Sequence, residues 1–216
     1  MSARVEEGAS TDRRDEAPGD DRPLGRSQAK SLSPGLDLLC TKVAVDLQSL
    51  AAATVGERVP AALQALTEAW GADSIFVALV DESAVAFSTV YAGRSTFSAC
   101  NPDVLKDRPL DEFPWLKVRL EHLRLLEIRD TANPSSTQRD DAERLAALNV
   151  GAALYVGFNI RGRLGGVLGV WSAVPNPEWP GEFQLALKLI GASCASSPRR
   201  GRWRSTIPRN RCSRAT

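Results

Sequence analysis

Histidine is nearly missing from this 216-residue chain, which holds only His122. Nucleophilic triads need a base beside the nucleophile, so that lone imidazole leaves them little to work with. It sits in EHLRL at the end of a short helix, where a structural role suits it, and the scattered Asp and Glu residues show no metal-ligand spacing around it. The four cysteines, Cys40, Cys100, Cys194 and Cys212, never form a CxxC pair. That spacing suits neither a disulfide framework nor a zinc site and points to a reducing cytoplasm. No window approaches the ~20 apolar residues of a spanning helix, and Met1 to Lys30 lacks the apolar core of a secretory signal. Phosphate cradles are lacking too: Gly162, Gly165, Gly166 and Gly169 fall inside a strand pair and do not open a helix.

Acidic residues are absent from Ser197 to Thr216, which holds seven arginines. The formal charge of +1 therefore hides a body of 20 basic and 26 acidic residues, about −6, a poor match for a phosphate backbone. No specific nucleic-acid partner and no membrane is expected.

The composition, 43% hydrophobic and 25% charged, supports one full-sized core. Residues 1–33 carry only Val5, Leu24 and Leu32 as large apolar side chains and are expected to be a disordered leader. Apolar steps of three and four at Leu36, Leu39, Val43, Leu47 and Leu50 predict an amphipathic helix. Thr54 to Pro60 interrupts it, and Leu63, Leu66 and Trp70 predict a second helix, stopped at Gly71. SIFVALV from Ser74, a turn at Asp81 to Ser83, and alternation at Val85, Phe87, Thr89 and Tyr91 predict a β-hairpin.

Ala92 to Asp111 reads as a long irregular loop, functional or mobile. A short helix is expected from Pro114 and a third strand at LRLLEIRD. Thr137 and Asp140 have capping-box spacing before the helix at Ala142, Leu145 and Leu148, with Asn149 as its left-handed stop. GAALYVGFNI and RLGGVLGVWSA flank Gly162 as a second hairpin. The last helix, Glu182 to Ala195, bears one apolar stripe at Phe183, Ala186, Leu187, Ile190 and Cys194 and another at Leu185, Leu189 and Ala192. One stripe suffices to dock on a sheet; the other needs a partner, for which a second helix is the natural candidate. The element order gives an α+β layout around a largely antiparallel sheet.

The phrases GADSIFVALVDE, FPWLKVRL, LEIRDTANP, ERLAALNVGAALYVGF, IRGRLGGVLGVWSA and EFQLALKLIGAS, in this order, resemble a bacterial GAF domain from Leu36 to Ser196. From Phe113 onward the wording is most like the sensory domains that precede PAS, GGDEF or EAL domains in cyclic di-GMP signalling. The resemblance implies an antiparallel five- or six-stranded sheet with the first and last helices on one face and a ligand pocket on the other. It also implies a homodimer through those two helices. The GAF-like domain spans residues 34–196, followed by a basic tail, 197–216. That tail has the Arg, Ser and Pro composition of a GC-rich gene read in the wrong frame, so a truncated or frame-shifted product is expected, with a genuine disordered tail as the alternative. No output-domain phrase occurs.

Chemistry known in the family finds little support in these residues. Thiol relay needs several cysteines near the pocket, and only Cys100 lies between Gly71 and Arg163; bilin attachment needs a cysteine followed by histidine, and Asn101 follows Cys100; the NKFDE signature of cyclic-nucleotide binding is missing. Strand parity proposes a pocket of Phe87, Tyr91, Tyr155 and Trp171, joined by Phe97, Cys100, Trp115 and Arg129 from flanking segments. Arg129 and Asp130 open a loop where the resemblance implies ligand or gating contacts, against the plainer reading of a surface ion pair. The expected function is non-enzymatic small-molecule sensing with no cofactor named. A dimerisation scaffold with a collapsed pocket and a small stand-alone enzyme are the alternatives.

Overall fold

All seven residues of Ser74–Val80 (β1) are buried, as befits a strand in a sheet covered on both faces. The computed structural model describes residues 38, 41–45, 55–81, 83–120, 122, 125–160 and 162–196. The expected leader, the basic tail and most of the helix expected at Leu36 to Leu50 lie outside the described residues. The other strands are β2 (Phe87–Arg94), β3 (Leu125–Ile128), β4 (Ala152–Ile160) and β5 (Arg163–Ser172). The helices are α1 (Val55–Trp70), α2 (Pro114–Leu120), α3 (Arg139–Ala147) and α4 (Gly181–Ser196). Among the described residues the sheet has five strands in the order β2-β1-β5-β4-β3, with every neighbouring pair antiparallel.

Alternation assigns each strand residue to one of two cores. Ile75, Val77 and Leu79 of β1 face α1 and α4, where they meet Val59, Leu63 and Leu66 on one helix and Phe183, Leu187 and Ile190 on the other. Val43, in the helical residues 41–45, joins this layer. Phe76, Ala78 and Val80 point the other way, into a layer closed by Leu105, Phe113, Leu116, Leu120 and Leu145. Full burial of each such leucine contributes roughly 1.5–3 kcal/mol, so the two layers rather than local propensity hold the elements in place.

Glycine matters most where α1 crosses β2. A Cβ at Gly93 would overlap the backbone of Leu63 and Gln64, so only glycine allows that approach. Beside it the Gln64 side-chain amide donates to the Arg94 carbonyl at 3.1 Å and accepts from the Arg94 N–H at 2.9 Å, so it occupies part of the edge that β2 would otherwise expose.

Several local expectations needed correction. Pro60 lies inside α1 rather than before it: the helix starts at Val55, and the proline, near its first turn, forgoes one hydrogen bond that later packing outweighs. The Thr137–Asp140 capping box does not form. Ser136–Gln138 is a 3-10 turn, and α3 begins at Arg139 with no side-chain cap. The stretch Ala92 to Asp111 is less irregular than expected, with 3-10 turns at Pro102–Leu105 and Leu110–Glu112 that bury Leu105 and Leu110. It is fastened to β2 through Asp107 N–H to the Phe87 carbonyl at 2.7 Å and Phe87 N–H to the Arg108 carbonyl at 3.0 Å.

Candidate functional site

The sheet face turned away from α1 and α4 is where the sequence-predicted pocket belongs. At its centre stand Tyr155 on β4, Trp171 on β5 and Phe76 on β1, each at most 2% exposed. The Trp171 indole N–H donates to the Tyr155 hydroxyl at 2.8 Å, giving both polar tips a buried partner. Phe76 meets Trp171 edge-on at 5.0 Å between ring centroids and Tyr155 at 6.4 Å. Burial drives the Tyr155 phenol far above its ordinary range and fixes it as a neutral hydrogen-bonding group.

Around this trio the structure brings together Phe87, Cys100, Tyr155 and Trp171, with Trp115 packed against the same layer. The Cys100 thiol donates to the Asn149 carbonyl at 3.4 Å, and its backbone N–H donates to Ser98 Oγ at 3.0 Å. Burial raises the Cys100 thiol above its usual range; the Ser98 contact works against the rise and the Asp73 charge adds to it. A buried, protonated thiol of this kind is a poor nucleophile. Half-buried Trp115 carries the Arg119 guanidinium over its ring at 5.1 Å.

Four other predicted residues stand apart. Tyr91 lies against the helix-covered layer, opposite Phe87. The cause is a β-bulge: Leu79 pairs with Thr89 but Val80 pairs with Phe87, so Ser88 is the extra residue and parity inverts across it. Phe97 is 97% exposed, outside either layer. Arg129 pairs at 2.9 Å with Glu127 rather than with Asp130. Asp130 instead closes an Asx turn, accepting from the Ala132 N–H at 2.9 Å and from Asn133 Nδ2 at 2.9 Å. Those contacts, Asn133 foremost, hold its carboxyl below the usual range.

Phe76 and Asp141 complete the layer and were not singled out from the sequence. Asp141 on α3 is 1% exposed, and its carboxylate accepts from the backbone N–H groups of Trp115 at 3.1 Å and Leu116 at 2.8 Å. It thus caps the first turn of α2 from another helix. A signal was available: Phe113, just before α2, has no side chain able to cap it, so the acceptor had to come from elsewhere. Burial raises the Asp141 carboxyl above its usual range, against the pull of the Leu116 and Trp115 N–H groups.

A separate open cleft of about 340 Å³ lies on the helix-covered side, at the ends of α1 and β5. Trp70, Asp73, Glu178, Trp179, Glu182 and Phe183 contribute to its walls. Among the described residues no group of three or more His, Cys, Asp or Glu side chains could hold a metal ion, and no helix is long and apolar enough to cross a membrane.

The chain has the fold of a GAF domain. It is similar to the chromophore-binding domain of Stigmatella aurantiaca bacteriophytochrome in the Pr state, with a TM-score of 0.60, 17% identity, and coverage of 79% of this chain and 62% of that one. The chromophore-binding domain of an unusual R. palustris bacteriophytochrome gives 0.56 at 15% identity, covering 74% and 59%. The phycoerythrobilin-bound GAF domain of a cyanobacterial phytochrome gives 0.56 at 13% identity, covering 77% of this chain and 97% of that domain. The chain thus spans about three-fifths of the two bacteriophytochrome chains and nearly all of the isolated GAF domain. At such identities the likeness is one of fold. No protein-family model matches the chain, and no curated protein matches it.

Proposed function

We propose that residues 34–196 form a non-catalytic regulatory module of a signalling protein, which transmits a change of state through the packing of its first and last helices across a homodimer. The single observation that carries this reading is the division of α4. Phe183, Leu187 and Ile190 are buried on the sheet, while Leu185 and Leu189 stand 58% and 59% exposed on another side of the same helix. Leu38 and Val45 add exposed apolar surface at 71% and 56% in the first helical segment. Two leucines one turn apart form the kind of seam a second helix covers. The fold supports the regulatory part, because its structural neighbours are chromophore-binding domains of phytochromes. The same reading sets the module in the cytoplasm, in a cyclic di-GMP or sensor-kinase signalling context.

Enzymatic action has little to draw on, since His122 is exposed and the Cys100 thiol is buried. A bilin attached at Cys100 is disfavoured for the same reason. The sensing role would require a small molecule to enter among Phe87, Cys100, Tyr155 and Trp171. The Trp171–Tyr155 hydrogen bond, with both rings buried, instead favours the second reading, a dimerisation scaffold whose sheet face is filled by its own aromatics.

Light scattering on the full chain tests the first claim. A dimer is expected, and Leu189→Glu should yield a folded monomer; a monomeric parent at about 100 μM, a concentration at which micromolar contacts hold, would remove the claim. A thermal-shift series with biliverdin, haem, flavins and cyclic nucleotides separates the two readings. Saturable stabilisation by one of them supports sensing, and a flat response throughout supports the scaffold.

A further inference from the structure

The open cleft at the ends of α1 and β5 has a chemistry of its own. Its volume, about 340 Å³, is at the small end of the ~300–1,000 Å³ usual for small-molecule sites. Three acidic side chains line it, Asp73, Glu178 and Glu182, and no lysine or arginine does. Asp73 is committed to the scaffold: its Oδ2 accepts from the Ala173 N–H at 2.9 Å and lies 3.3 Å from the Ser172 hydroxyl. Glu178 and Glu182 make no hydrogen bond or ion pair among the described residues, although each borders the cavity. Their charges meet no protein cation in the lining of the cleft.

Aromatic side chains line the same cleft. Trp70 and Phe183 meet edge to face at 4.4 Å, and half-buried Trp179 packs against the same layer. The Trp70 indole nitrogen is buried without a hydrogen-bond partner among the described residues, so the ring is held by packing alone. Trp171 also borders the cleft, but its indole is bonded to Tyr155 on the opposite face of the sheet. The loop carrying Glu178 and Trp179 is tied down at three points: Ala173 N–H to Asp73, Asn176 N–H to the Arg129 carbonyl at 2.7 Å, and Gln184 Nε2 to the Trp179 carbonyl at 3.2 Å. The walls are therefore arranged before any guest arrives, which lowers the ordering cost of binding.

We propose that this cleft is a binding site for a small organic cation of the quaternary or methylated ammonium class. An aromatic ring attracts a cation through its quadrupole, and a methylated ammonium carries its charge on an apolar surface that sheds water easily. Such a guest would find indole and phenyl surface and two unpartnered carboxylates in one cleft. An anion would face three acids, and a neutral apolar guest would leave Glu178 and Glu182 without a counter-ion. The site is independent of the filled sheet face and of the α4 seam, so it stands or falls without either.

The test titrates the full chain with choline chloride at constant ionic strength and follows the tryptophan indole N–H resonances by NMR. The neutral isostere 3,3-dimethylbutan-1-ol is run in parallel. Saturable shifts of the Trp70 and Trp179 signals are expected with choline, and the isostere should bind at least about tenfold more weakly. The double substitution Glu178→Gln/Glu182→Gln touches surface side chains and should weaken choline by about tenfold with an unchanged melting temperature. Trp179→Ala should weaken it further. No saturation by about 20 mM choline, equal binding of the isostere, or full retention of binding in the glutamine variant would each overturn the proposal.

Discussion

Replacing Asp141 with alanine removes the cap of α2 without touching α2 itself. Its carboxylate accepts from two backbone N–H groups, Trp115 at 3.1 Å and Leu116 at 2.8 Å, in a position 1% exposed to solvent. Loss of a helix cap costs about 0.5–2 kcal/mol. Here the freed N–H of Leu116 is also buried, and an unpaired buried donor costs about 1–3 kcal/mol. Some of that is offset by no longer burying a carboxylate, so about 2–3 kcal/mol is expected for Asp141→Ala and about 1 kcal/mol for Asp141→Asn, which keeps one acceptor. In a chain of this size that alanine penalty lowers the melting temperature by roughly 6–10 °C. The pH dependence has a definite sign. Burial raises the folded carboxyl above its unfolded value, so the folded state holds the proton to higher pH. The contribution of this group is therefore full below the unfolded value and declines as pH rises through the folded one. The gap between the parent and Asp141→Asn should be widest below about pH 4 and shrink toward neutrality. Urea unfolding followed by tryptophan fluorescence gives the energies, and hydrogen exchange at the Leu116 amide reports the cap. A loss under about 0.5 kcal/mol for Asp141→Ala, with Leu116 protection unchanged, would refute the reasoning.

Tyr155→Phe leaves the Trp171 indole N–H buried without its acceptor and should cost about 1–3 kcal/mol by thermal or urea unfolding; a neutral result would mean water reaches that point. Gly93→Ala puts a methyl group into the backbone of Leu63 and Gln64 and should destabilise by roughly 1–3 kcal/mol, whereas an unchanged melt would show that α1 can retreat from β2 at little cost. Burial raises both Cys100 and Cys194, the latter to about 12, so iodoacetamide at neutral pH should label them only as fast as the domain opens. Peptide mapping that found either one alkylated in the native state at the rate of a free thiol would contradict that burial.

Where a signal is local, the sequence announced it. The hairpin of β4 and β5 turns at Gly162 with φ 78°, and the stops of α1 and α3 at Gly71 and Asn149 both take φ 61°, the left-handed conformation that suits those two residue types. The two stripes of α4 were legible because helical spacing alone separates Ile190 from Leu189. Where the determinant is non-local, reading failed. The bulge at Ser88 arises from the pairing of β2 with β1 and leaves no trace in the alternation of Phe87, Thr89 and Tyr91, so Tyr91 was placed on the wrong side of the sheet. The expected cap at Thr137 was available in spacing but lost to a 3-10 turn. The cap that does form reaches from Asp141 across 25 residues to Leu116, a relation no local window contains.

The pairing of β1 with β5 joins Ile75 to Val170 across nearly a hundred residues of chain, and β1 has no other inner neighbour in the sheet. Until Ser172 has left the ribosome, the nascent polypeptide therefore holds an early ribbon with one row of unpaired N–H and C=O groups, on a strand whose side chains are apolar but for Ser74, and nothing native to cover it. During synthesis that interval is a natural opening for a chaperone. It also means that a fragment cut anywhere ahead of β5 should be insoluble rather than merely less stable.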